Sequence, residues 1–162
     1  MKPLHLEDHS EEVESLRIFE SVSISTIIAS GARLVELEKS EPFLTNDSNG
    51  FPCLHAVISG RVIQPLHGLQ HSPKNRASDH HYYVPGDVVG IRDFFSSMAS
   101  GIPAQADVVS KVLILEADHF FALAKANRDF CFAFLNAPFM KFEIIHEGHE
   151  AGVFRYHGSK LN

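Results

Sequence analysis

Between Ser25 and Leu115 the chain never settles into one period: short β-branched runs are cut at close intervals by Gly, Pro and Asn. STIIASGARLVELEKSEPFLT is interrupted at Gly31 and Pro42, and NDSNGFP (46–52) is a turn cluster. CLHAVISGRVIQPL (53–66) reads as two strands joined at Ser59-Gly60. Chains punctuated this way bury their strands by closing into a sandwich or barrel. The expected fold is therefore mainly β with flanking helices: a double-stranded β-helix, the jelly-roll or cupin-like β-roll.

The flanks carry a different pattern. Ser10 can cap a helix over 10–20, with glutamates at its positive end and Val13, Leu16 and Phe19 at threefold spacing. QADVVSKVLIL (105–115) reads as one continuous strand. Beyond it Asp118 can cap a helix through HFFALAKANRDFCFAFL, and Pro138 suits the first turn of another over 139–149. At 162 residues this makes one domain: a helix at 10–20, a roll at 21–117, helices at 118–150 and a tail at 151–162. Thirteen phenylalanines and no tryptophan predict a Phe-packed core.

Composition removes several functions. A net charge of −6 argues against direct nucleic-acid binding. Two cysteines, Cys53 and Cys131, cannot make a four-cysteine metal or iron–sulfur site and read as buried free thiols. MKPLHLEDHS lacks the apolar core of a signal peptide, and no apolar run reaches membrane-spanning length. The expectation is a cytoplasmic chain with no membrane contact.

The loop PLHGLQHSPKNRASDHH (65–81) is polar and histidine-rich. It lacks an H-x-H pair, and the adjacent His80 and His81 would point to opposite faces of a strand. HEGHE (146–150) spaces His146 and His149 three apart, where the zinc-protease motif needs four. Neither a nucleophile elbow nor a phosphate-binding glycine loop occurs. The chain is expected to be no enzyme and to carry no cofactor or metal, with a metal-dependent cupin-like enzyme as an alternative.

Three stretches together resemble the cyclic-nucleotide-binding domains of Crp/Fnr-type regulators: LHAVISGRV (54–62), YYVPGDVVG (82–90) and VLILEADHFFALAKANRDF (112–130). The resemblance spans roughly residues 10 to 150. It implies that Gly90 opens a ligand cassette, with Gly86 and Gly90 allowing its tight backbone and Phe94 and Phe95 filling the core or the pocket wall. Nucleotide-binding members follow this glycine with a glutamate for the ribose; here Ile91 follows. They then supply an arginine for the cyclic phosphate, where this chain has Pro103-Ala104-Gln105-Ala106. The candidate pocket is Gly90, Ile91, Arg92, Ala104, Gln105 and Ala106, with a small-molecule effector as partner. The cassette looks more like that of the Fnr-like branch, whose sensory domains do not use cyclic nucleotides. Arg92, with the Gly90 loop, offers an alternative contact for a cyclic nucleotide or another small anion if it turns inward; otherwise it pairs with Asp93 or Asp87 in solvent.

In this superfamily the helix after the roll forms a dimer interface. Phe139, Phe142, Ile145 and His149 are the matching seam for a homodimer or a protein partner, unless they pack back on the roll. GVFRYHGSKLN (152–162) has no room for a helix-turn-helix and no basic recognition helix. The function expected is a non-enzymatic sensory domain, and a purely structural oligomerisation module is the bland alternative.

Overall fold

A computed structural model describes residues 1–47, 49–65, 80–96 and 101–136. The strands are β1 (Lys2–Leu4), β2 (Arg33–Leu37), β3 (Pro42–Phe43), β4 (Leu54–Ser59), β5 (Val62–Pro65), β6 (His80–Tyr83), β7 (Val88–Val89), β8 (Ala104–Ala106) and β9 (Ser110–Leu115). The helices are α1 (Ser10–Glu14), α2 (Ile24–Ser30), α3 (Ile91–Ser96), α4 (Ala117–Ala126) and α5 (Arg128–Asn136). The strands form two antiparallel sheets, ordered β1-β2-β9-β4-β7 and β3-β8-β5-β6. This is the β-roll expected from the punctuation of the sequence.

Strand alternation divides the apolar residues between two cores. Leu54, Ala56 and Ile58 of β4, with Leu113 and Leu115 of β9, face the helices. Val57 of β4, with Val112 and Ile114 of β9, faces the inside of the roll. Both faces of these central strands are covered, which is why they read as nearly unbroken apolar runs. The helical core is built on phenylalanine, as the composition suggested. Phe19 stacks on Phe130 at 5.9 Å between centroids, and Phe120 meets Phe94 at 5.3 Å and Phe134 at 4.9 Å.

Four expectations are corrected. The helix expected over 10–20 ends at Glu14. Beyond it, Leu16 donates its N–H to Val13, Phe19 to Leu16 and Val22 to Phe19, each a three-residue turn. The threefold spacing of Val13, Leu16 and Phe19 thus reflects i→i+3 turns rather than an α-helix.

The start of the expected roll is also helical, because α2 occupies 24–30. Its β-branched content reads as strand, but the ends decide the outcome. Ser23 accepts the Thr26 N–H, and Gly31 closes the helix in the left-handed conformation at φ 92°.

QADVVSKVLIL is two strands, not one. β8 lies in the second sheet, 107–109 turn the corner, and β9 enters the first sheet. Ser110 holds the corner: its Oγ accepts the Arg61 N–H at 3.0 Å and lies 2.7 Å from the Val108 carbonyl it donates to.

The helix expected from Asp118 through 135 is broken at Asn127, whose backbone is extended at φ −139° and ψ 106°. Its N–H caps α4 at Leu123, and its Oδ1 accepts the Phe130 N–H at 3.0 Å to begin α5. The remainder of the C-terminal helices, the tail and the seam residues Phe139, Phe142, Ile145 and His149 lie outside the described residues.

Candidate functional site: the cassette corner

The segment YYVPGDVVGIRDFF carries the chain from one sheet to the other. β6 belongs to the second sheet and β7 to the first. Between them Pro85-Gly86-Asp87 makes a turn closed on both sides. Gly86 stands at φ 94° and donates its N–H to Val57 at 2.9 Å, while the Asp87 carboxylate accepts the Val84 N–H at 2.8 Å. The Asp87 carbonyl accepts the Val57 N–H at 2.9 Å. The turn is thereby tied to β4, an interior strand of the first sheet whose residues 54–58 are all buried.

Gly90 follows at φ 89°, and a Cβ there would lie 2.6 Å from the Cys53 carbonyl and 3.0 Å from Thr45 Cβ. Only glycine fits this backbone and this space together. The Gly90 carbonyl then accepts the Phe94 N–H at 2.9 Å and starts α3.

The six candidate pocket residues do not converge. Gly90 lies beside the roll interior, and Ala104 and Ala106 face into it with no exposure. Ile91 turns away and packs on the helical core. Gln105, between two inward alanines, takes the opposite face of β8. Arg92 points outward: its side chain is 75% exposed, with Nε 3.6 Å from Asp93 Oδ1. Helical geometry explains this, because Arg92 shares the first turn of α3 with Ile91 and Asp93, which take the two inward directions.

Three residues at this corner were not singled out from the sequence. Asp93 is buried, and its Oδ2 accepts the Thr45 hydroxyl at 3.3 Å. Asp93 read as the solvent partner of Arg92, and nothing local marks it as the inward member of the pair. Thr45, also buried, lies in the segment leading to the turn cluster. The third is His55, on β4. Its ring packs on Phe43 with centroids 4.9 Å apart, and its Nδ1 is buried without a hydrogen-bond partner. The one available signal was a histidine inside the apolar run LHAVIS.

Among the described residues no Lys or Arg is buried, and Asp93 is the one buried carboxylate. Burial pushes His55 down to about 4, against the Cys53 carbonyl and with a small push from Arg33, so the imidazole is uncharged near neutrality. Burial pushes the Cys53 thiol up to about 11, so it is no ready nucleophile. Tyr83, whose hydroxyl donates to Gln64 at 3.1 Å, is pushed up to about 12 by burial and then by Asp87. Among the described residues no three His, Cys, Asp or Glu side chains gather as a metal would need, and no helix is long and apolar enough to cross a membrane.

No family model matches the sequence, and no curated protein matches it. Solved structures match by fold. The sensor domain of the transcriptional regulator DNR from Pseudomonas aeruginosa aligns with a TM-score of 0.57 at 18% identity, over 80% of this chain and 85% of its own. A mutant regulatory subunit of a cAMP-independent protein kinase A from Trypanosoma brucei, bound to cAMP in its A site, aligns at 0.60 and 14% identity, over 85% of this chain and 49% of its own. A mutant cAMP-binding acyltransferase from Mycobacterium smegmatis aligns at 0.53 and 16% identity, over 73% of this chain. The chain spans only 36% of that acyltransferase. The fold is that of the cyclic-nucleotide-binding domains, as the three sequence stretches implied.

Proposed function

We propose that this chain is a non-enzymatic regulatory domain whose β-roll responds to an effector other than a cyclic nucleotide. The observation that carries the reading is the pairing of a complete cassette backbone with a roll that buries no Lys or Arg among its described residues. Gly86 and Gly90 hold the turn that the fold requires, yet Ala104 and Ala106 line the wall and Arg92 faces solvent. A cyclic phosphate placed inside would keep its desolvation cost, on the order of several kcal/mol per ion, with no Lys or Arg buried among the described residues to offset it. The regulatory character is supported by the sensor and regulatory domains among the structures of similar fold. A cytoplasmic location, and a homodimer or protein partner engaged through Phe139, Phe142, Ile145 and His149, belong to the same proposal.

A second reading, in which Arg92 swings inward to meet a small anion, has one observation in its favour: its contact with Asp93 is long at 3.6 Å and its side chain is largely free in solvent. A thermal-shift panel of cyclic AMP, cyclic GMP and cyclic dinucleotides, with metal analysis of the same sample, separates the readings. The proposal expects no saturable shift from any of them and no stoichiometric metal. A saturable shift that vanishes in Arg92→Ala establishes the second reading, and bound metal in stoichiometric amount would point to the cupin-like enzyme.

A further inference from the structure

Among the described residues, one buried side-chain polar atom is left open. On β4 the side chains alternate: Leu54 and Ala56 face the helices, while Cys53 and Val57 face inward. His55 shares the inward face, is 2% exposed, and rests on the Phe43 ring. Its Nδ1 is buried with no partner. Buried polar atoms in folded proteins are nearly always paired, so an open one calls for a ligand, a water or a functional reason. Its place is informative. His55 pairs across the ladder with Val89, the residue before Gly90, and Phe43 pairs with Ala104. The open nitrogen therefore sits where the cassette meets the roll.

We propose that this corner is a binding site for an uncharged aromatic molecule, and that His55 Nδ1 makes its one directed hydrogen bond. The proposal rests on the regulatory reading above and names the class of effector. The surroundings select for it. Among the described residues no Lys or Arg is buried to hold an anion, and the one buried carboxylate, Asp93, already accepts the Thr45 hydroxyl. Phe43 supplies a flat ring face, and Ala104 and Ala106 leave only methyl groups on the β8 wall. The single N–H of the neutral ring is directed at the Cys53 carbonyl, so the open Nδ1 is an acceptor and the ligand must supply an N–H or O–H. In a dry site a molecule lacking that group leaves the histidine unpaired and binds more weakly.

The test titrates the purified full chain with phenol and with benzene, followed by the 15N resonances of its histidines. Phenol is expected to bind saturably, to shift the His55 ring nitrogen, and to bind about tenfold tighter than benzene, the value of one net hydrogen bond. In His55→Phe the two probes should bind equally. The wild-type resonance needs no variant, so a folding failure of His55→Phe leaves the test intact. Equal affinities in the wild type, or no shift at His55 up to the solubility of phenol, would overturn the proposal and leave an internal water as the partner of Nδ1. That result would not touch the regulatory reading, which fails only if a cyclic nucleotide or a metal binds.

Discussion

The neutral, buried imidazole of His55 makes folding stability depend on pH in a way that can be worked from the structure. In the unfolded chain the ring takes up a proton near its ordinary value of 6.5, whereas in the folded roll it does so only near about 4. Between those values the unfolded state binds more protons, so the folded state loses ground as the medium acidifies. The contribution is complete above about 6.5 and exhausted once the pH has fallen through about 4. Integrated from pH 7 to pH 5, the loss is about 2 kcal/mol from this residue alone. Carboxylates act in the same direction at lower pH, since Lys111 holds Glu12 below its ordinary range. The assay must therefore be a difference. Urea unfolding of the wild type and of His55→Phe at pH 7 and at pH 5 removes every group the two proteins share. The wild type should lose about 2 kcal/mol more than the variant over this interval. Equal losses would show that the ring is solvated or paired when folded, and the description of His55 as a buried, uncharged imidazole would be wrong.

Other expectations concern the corner itself. Gly90→Ala should destabilise by about 3 kcal/mol, combining left-handed strain with overpacking on the Cys53 carbonyl, as read from urea midpoints. Gly86→Ala, at a similar φ but with nothing within 4 Å of the new Cβ, should cost only about 1 kcal/mol in the same assay. Ser110→Ala should cost about 2 kcal/mol, because the buried hydroxyl bridges Arg61 and Val108 at the strand crossing. Arg92→Ala should change stability by less than about 0.5 kcal/mol, since the side chain is exposed and its contact with Asp93 is long.

The parts of the fold that were legible in the sequence are those where local and long-range preferences agree. The Ser59-Gly60 joint, the Pro85-Gly86-Asp87 turn and the glycine at 90 all declare themselves through residues that the backbone conformation demands. Where local chemistry competes with composition, the sequence misleads. Ile24–Ser30 is rich in β-branched residues, yet Ser23 and Gly31 cap it as a helix. Asn127 interrupts a strong helical pattern because its side chain can serve as the next cap, while its amide reaches the Ser21 carbonyl. The crossing at 107–109 is invisible in QADVVSKVLIL because apolar residues continue on both sides of it.

The site was legible in the same uneven way. Gly90, Ala104 and Ala106 lie at the edge and wall of the roll interior, whereas Ile91, Arg92 and Gln105 point elsewhere. The orientation of Arg92 depends on the phase of α3, which begins at Ile91, directly after the cassette glycine. His55 escaped notice for a different reason. A lone histidine in an apolar strand carries no spacing signature, and its significance appears only when the ladder sets it opposite Val89 and beside Phe43.

The most direct test of the central claim is an isothermal titration of the full chain with cyclic AMP and cyclic GMP at low salt, where any electrostatic contact is strongest. The account predicts no saturable heat for either ligand, because the cassette retains its turn while Arg92 faces solvent and no Lys or Arg is buried among the described residues. A micromolar dissociation constant in the wild type, whether or not Arg92→Ala abolishes it, would contradict that claim and place a cyclic phosphate inside the roll.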